Sequence, residues 1–163
     1  MDPKTLFLET ARSLRLTACG ACSIDFSKDL SQALSKAGPV PFAPAEAEKR
    51  LSPESLLPGA RSFFVILFPY KTEEREMGNI ALYARSEDYH RVNHRYMDRI
   101  IAVAAKAFPQ ARFKALTDTS PMVDRWLAYA AGLGFFGRNH CLIHPVYGSS
   151  GTIGAILTTL PLS

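Results

Sequence analysis

The sequence predicts one domain of the α/β or α+β class, with helices and strands interleaved around a mixed sheet. Three observations carry this expectation. Apolar residues recur at helical spacing in several separate stretches, an unbroken aromatic and β-branched run from Ser62 to Phe68 has the pattern of a central strand, and prolines and glycines mark the boundaries between them. The 163 residues, 47% hydrophobic and 21% charged, suffice for a single domain with a sizeable core.

Taken in order, Asp2 to Leu14 places Leu6, Phe7, Thr10, Ala11 and Leu14 on one helical face. Leu16 to Ile24 is a small-residue run that reads as a buried strand carrying Cys19 and Cys22. Ser27 is expected to cap a second helix to about Ala37, ended by Gly38 and Pro39. A proline-punctuated connector runs from Pro39 to Pro58 with a turn of helix around Ala45 to Arg50. Leu57-Pro58-Gly59-Ala60 is a turn into the central strand, which exits at Pro69-Tyr70 and is followed by a charged loop from Lys71 to Met77.

Ser86 is expected to cap a long helix from Glu87 to about Phe108, with Tyr89, Val92, Tyr96, Ile100, Val103, Ala104 and Ala107 on its inner face and Pro109 as its stop. A short strand from Arg112 to Leu116 leads to Thr117-Asp118-Thr119-Ser120-Pro121. Ser120 as N-cap, Pro121 at the first position and Asp124 in the first turn predict another helix, which leaves Asp118 just outside it. Met122, Val123, Trp126, Leu127, Ala130 and Ala131 form its apolar face, and Gly132 or Gly134 ends it. Cys141 to His144 and Gly151 to Leu160 complete the strands. There is no internal repeat and no low-complexity segment.

The net charge of +4 and pI near 9.1 suit an acidic partner, but the basic residues are dispersed and support a polyanion only weakly. Met1-Asp2-Pro3-Lys4 opens with charge, and no stretch has the length of a membrane span, so a cytoplasmic protein without membrane contact is expected. Cys19-Gly20-Ala21-Cys22 has C-x-x-C spacing. Zinc would require Cys141 with His140 or His144 as further ligands, and a redox dithiol would place its first cysteine at a helix N-terminus. The strand-like setting favours plain strand cysteines instead. The glycine-rich Gly132-Leu133-Gly134-Phe135-Phe136-Gly137, followed by Arg138 and Asn139, exposes backbone that a large polar ligand can approach closely.

Several segments, in this order and spacing, resemble the N-terminal cobalamin-binding part of the epoxyqueuosine reductase family, iron–sulfur enzymes that act on a modified tRNA base. They are Leu57-Pro58-Gly59-Ala60-Arg61-Ser62, Ile80-Ala81-Leu82-Tyr83-Ala84, Asp88-Tyr89-His90, Asp118-Thr119-Ser120-Pro121 with Arg125, Ala131-Gly132-Leu133-Gly134-Phe135-Phe136-Gly137-Arg138-Asn139, and Gly148-Ser149. The resemblance implies a single α+β domain over residues 1–163, nitroreductase-like, with a mixed β-sheet flanked by helices. It implies a corrinoid whose cobalt faces a substrate pocket. It makes Asp118 the proton donor as an epoxide opens to an alkene, which requires burial to raise its pKa. For the corrin it implies Tyr83, Tyr89, Arg125, Gly134, Gly137, Arg138, Asn139, Ser149 and Ser150. Asp88-Tyr89-His90 with Asn93 is superficially similar to the cobalt-ligating Asp-x-His-x-x-Gly signature, but the glycine is replaced and the setting is helical, so His90 is not expected to ligate cobalt and no metal ligand is assigned.

The family pattern has arginine at Leu82, alanine at Ser120, glutamate at Asp124 and lysine at Arg138. It also has a carboxylate at Ala155 within an aromatic-led strand, a difference that bears on the tRNA substrate more than on the fold. In the family a segment like Leu160-Pro161-Leu162 leads into a ferredoxin-like domain holding two 4Fe-4S clusters, whereas this chain stops at Ser163, and Cys19, Cys22 and Cys141 are too few to hold a cluster. The expectation is therefore an oxidoreductase domain inactive without an iron–sulfur domain or a ferredoxin-type electron donor, and a homodimer covering the surface left open. The alternatives are a non-enzymatic cobalamin carrier or processing module and an FMN-binding nitroreductase-like protein.

Overall fold

The computed structural model describes residues 1–25, 28–37, 47–70 and 79–162. The elements run α1 (Pro3–Ser13), β1 (Cys19–Ser23), α2 (Lys28–Ala37), α3 (Ala47–Arg50), β2 (Ser62–Pro69), α4 (Tyr89–Ala107), β3 (Phe113–Thr117), α5 (Asp124–Ala130), β4 (Phe135–Phe136), β5 (Leu142–Ile143) and β6 (Gly151–Thr158). The expected Ser27 cap, the Gly38-Pro39 stop, most of the connector and the charged loop from Lys71 to Met77 lie outside the described residues.

The main sheet has the order β1-β2-β6-β3, and β4 and β5 form a separate two-stranded ribbon. The sheet was expected to be mixed, but every neighbouring pair in it is antiparallel. The cause is topological. The last strand, β6, inserts between β2 and β3 and runs against both, so β2 and β3, which share a direction, never become neighbours.

Both faces of the sheet are covered. Along β2 the side chains alternate: Phe63, Val65 and Leu67 join a core with Leu127 and Ala128 of α5, while Phe64, Ile66 and Phe68 join Phe7 of α1 and Met97 and Ile100 of α4. Burial on both sides explains why this strand has no polar alternation, and seven of its eight residues are buried. The turn before it has Gly59 at φ 73° and a 3.0 Å hydrogen bond from the Ala60 N–H to the Leu57 carbonyl, the conformation that a Pro-Gly pair favours. β1 is paired on one side only, so Cys22 alone of its residues is buried, against the expectation of a buried strand.

Two helix starts differ from expectation. α4 is capped by the Asp88 carboxylate, which accepts from the His90 N–H, and not by Ser86. Its inner row is Asn93, Met97, Ile100 and Ala104, while Val103 is exposed. Counting apolar residues skips Asn93, because this polar side chain meets hydroxyls in the seam with the sheet. α5 begins at Asp124, since residues 118–123 form turns in which the Ser120 hydroxyl accepts from the Met122 N–H at 3.2 Å. Its end is as expected: Gly132 has φ 77°, its N–H donates to the Tyr129 carbonyl, and the Leu133 N–H donates to the Ala128 carbonyl, a Schellman closure.

Candidate active site

Three features converge at one edge of the sheet: the first turn of α4, the loop after β3, and the start of α5. Between them lies a cleft of about 400 Å³, lined by Asp118, Asp124, Arg125, Tyr70, Tyr83 and Tyr89, with Arg50 of α3, Met122, Val123 and the Gly151–Ile153 start of β6 completing it. Asp118 was expected to be buried, but its place in the loop after β3, at the open side of the cleft, leaves its side chain half exposed, and both its oxygens are engaged. Its Oδ2 accepts from the Tyr89 hydroxyl, and its Oδ1 pairs with His90 Nε2 at 2.7 Å. The other ring nitrogen of His90 pairs with Asp88 at 2.8 Å, so an Asp88–His90–Asp118 chain leads from the cap of α4 into the cleft.

The aromatic wall is continuous. Tyr70, Tyr83 and Tyr89 meet edge to face at centroid spacings of 6.1 and 6.0 Å, and His90 stacks on Tyr89 at 4.1 Å. Burial pushes the Tyr89 phenol well above its usual range, and its bond to the Asp118 carboxylate adds to this, so it stays a donor. His90 is held above the usual histidine range chiefly by its bond to Asp88, against desolvation and with Asp118 adding. Among the described carboxyls, Asp124 is furthest from ordinary behaviour: burial pushes it up to about 7, with the Asp118 charge adding and the Arg125 guanidinium opposing.

Of the residues expected at the site, the cleft brings together Asp118, Tyr83, Tyr89 and Arg125. Arg125 also donates to the His140 carbonyl, tying α5 to the turn of the ribbon. Gly134, Gly137, Arg138 and Asn139 lie in the β4–β5 ribbon, outside the lining of the cleft. There Asn139 accepts from the Cys141 N–H, and Gly137 donates to the Cys141 carbonyl. Ser149 and Ser150 precede β6, and the Ser150 carbonyl accepts from the Tyr70 N–H at 3.2 Å. Sequence reasoning missed Arg50, Tyr70 and Asp124 as site residues. The signals existed in the exit of the central strand and in a carboxylate six residues after Asp118, but only the tertiary fold turns them inward.

A corrinoid needs flat walls beside donors for its amides. The tyrosine row supplies the wall and the open start of β6 supplies backbone. Arg50 lines the cleft, and among the described residues its buried Nε has no hydrogen-bond partner. The residues therefore fit such a ligand. No three His, Cys, Asp or Glu side chains form a metal-holding group among the described residues. The Cys22 thiol is pushed up to about 12 by burial and Cys19 is raised by the same cause, which disfavours thiolate chemistry at C-x-x-C. No described helix is long and apolar enough to cross a membrane.

Residues 50–119 match the family described as Epoxyqueuosine reductase QueG, DUF1730. The chain is 36% identical over 118 residues to an epoxyqueuosine reductase of Gloeobacter violaceus, an alignment covering 70% of this chain and 37% of that protein. The structure of epoxyqueuosine reductase from Streptococcus thermophilus superposes over 100% of this chain and 47% of its own, with a TM-score of 0.87 at 24% identity, a likeness of fold. A crystal structure of epoxyqueuosine reductase with a tRNA-Tyr epoxyqueuosine-modified tRNA stem loop superposes with a TM-score of 0.83 at 26% identity, covering 98% of this chain and 46% of that one. The chain thus spans between a third and a half of the length of these relatives.

Proposed function

The chain belongs to the epoxyqueuosine reductase family, and from that premise we propose that it forms the corrinoid- and substrate-holding part of a reductase that converts the epoxide of epoxyqueuosine in tRNA to the alkene. The observation that carries this reading is Asp118, presented in the cleft with one oxygen on Tyr89 and the other on His90. The three-layer fold is consistent with a nitroreductase-like domain.

The reaction consumes two electrons and two protons. Both C–O bonds of the epoxide break, a C=C bond forms, and the oxygen leaves as water. A corrinoid held in the cleft would supply the electrons, replenished by 4Fe-4S clusters or a ferredoxin-type donor. Tyr70, Tyr83, Arg50 and the start of β6 hold the ligand, with Arg125 beside them. Asp118 delivers a proton to the departing oxygen, a contribution worth about 10²–10⁴ in rate for a positioned acid. Tyr89 and His90 fix the direction in which that carboxyl points, and Asp88 fixes His90 in turn. The tRNA is the expected partner, its modified base entering the open mouth.

Titration with hydroxocobalamin, followed by absorption and calorimetry together, tests the cofactor. Saturable one-to-one binding with a shifted corrin band is expected, whereas preferential binding of FMN would replace this reading with a flavin one. Asp118→Asn is expected to bind the corrinoid normally and to lose at least about 100-fold in reduction of an epoxyqueuosine stem loop with an external electron donor. Full turnover by that variant would remove Asp118 from the mechanism, and corrinoid binding without any turnover by the parent chain would favour a carrier.

A further inference from the structure

Asp124 lies in the same cleft as Asp118, and the mechanism above leaves it idle. The two carboxyls differ in their partners. Asp118 is half exposed and has both oxygens engaged by Tyr89 and His90. Asp124 is more deeply placed, and no hydrogen bond reaches its carboxyl among the described residues. Reduction of an epoxide to an alkene and water takes two protons, whereas Asp118 carries at most one.

Resting on the reading of Asp118 as the donor, we infer that Asp124 is the second proton-carrying carboxyl of the cleft, loading Asp118 with each proton that passes to the substrate oxygen. The proton moves from the Asp124 acid to the Asp118 carboxylate, directly or through one water, and Asp124 regains a proton from solvent through the open mouth. No electron moves in this step. Two carboxyls in one cleft resist being ionised together, so the pair keeps one proton resident when neutral solution would strip it from an ordinary aspartate. Among the described residues, the charged and titratable groups that share the cleft with Asp124 are Asp118, Arg125, Arg50, Tyr70, Tyr83 and Tyr89. Burial is the main force keeping the proton on Asp124, the Asp118 charge adds to it, and the Arg125 guanidinium opposes both. The resulting position near 7 lets the group both give and take a proton close to neutrality.

The full chain, labelled with ¹³C at its aspartate carboxyls, gives a readout independent of turnover. One carboxyl resonance should titrate near pH 7, vanish in Asp124→Asn, and move to lower pH in Asp118→Asn, where the like charge is gone. If every aspartate resonance titrates in the ordinary range near about 4, the inference is overturned. With hydroxocobalamin, a low-potential chemical reductant and an epoxyqueuosine stem loop, the rate of the parent chain should fall as pH rises through about 7. Asp124→Asn should lose that alkaline limb and about tenfold or more in rate at pH near 6, and Asp124→Glu should restore both. An Asp124→Asn chain with the parent's rate and profile overturns the inference alone. A parent chain that binds corrinoid and reduces no epoxide overturns the substrate reading, and with it the need for a second proton, even where Asp124 titrates near 7.

Discussion

Asn93 on α4 donates to the Thr117 hydroxyl on β3 at 3.1 Å, so the helix that begins with Tyr89 and His90 is bolted to the strand whose next residue is Asp118. Asn93 is fully buried and also donates to Thr152 of β6 at 3.2 Å. Replacing it with alanine leaves Thr117 its bond to the Ile153 carbonyl but strips Thr152 of this partner and opens a small void. Asn93→Ala is expected to cost about 2–4 kcal/mol, from lost hydrogen bonds and unfilled space together. For a chain of this size that lowers Tm by roughly 4–16 °C. Urea unfolding measures it, and a change below about 0.5 kcal/mol would place Asn93 among ordinary surface positions.

Gly134 was expected to admit a ligand, but its position explains it otherwise. A Cβ there would stand 2.2 Å from the Ile143 carbonyl oxygen across the β4–β5 ribbon. Gly134→Ala must therefore push the ribbon apart, at about 1–3 kcal/mol. Gly132→Ala meets no atom but must hold φ 77°, at about 1–2 kcal/mol. Both variants are expected to melt early, with hydroxocobalamin affinity unchanged well below their Tm. Normal melting with weakened binding in Gly134→Ala would return that glycine to the ligand site.

The elements that were legible are those written in local chemistry. The unbroken Ser62–Phe68 run has the pattern of a central strand, and the Pro58-Gly59 and Gly132 turns follow from conformations those residues favour. The direction of the sheet was not legible, because it depends on where β6 inserts, a contact between residues 37 to 96 positions apart in sequence. Helix starts were misplaced where two capping residues competed: Asp88 prevails over Ser86 because its carboxylate also serves His90. In the site, Asp118, Tyr83, Tyr89 and Arg125 were readable from the resemblance, while Tyr70, Asp124 and Arg50 become site residues only when the exit of β2, the turns after β3 and α3 bring them to the cleft.

His90 takes up protons on folding, since its ring is held above the usual histidine range first by the Asp88 bond and then by Asp118. The sign follows from a raised folded value. The stabilisation is complete below the unfolded value of about 6.5 and disappears as pH climbs through the higher folded value. Asp88 remains charged throughout, because His90 holds it below the usual carboxylate range. The Tm gap between the parent chain and His90→Gln should thus be widest near pH 5.5 and narrow steadily above about pH 6.5. The gap should be small, because the side chain is 35% exposed and solvent screens the pair. A gap that stays flat or widens with pH contradicts the Asp88–His90–Asp118 chain.

Arg50 ends α3 with a buried Nε that finds no acceptor among the described residues, and it lines the cleft with both carboxyls. An unmatched buried donor costs about 1–3 kcal/mol, a cost that a ligand acceptor would remove. Lysine keeps the charge but has no N–H at that place and no planar fork. Arg50→Lys should therefore leave the ligand-free Tm unchanged or raise it, while weakening hydroxocobalamin binding by about 10–100-fold, the equivalent of one charge-assisted hydrogen bond. A structural role predicts the opposite pair of results, a lower Tm with affinity intact. Measuring both quantities on one preparation separates the two, because a donor spent on the fold cannot also be waiting for a ligand.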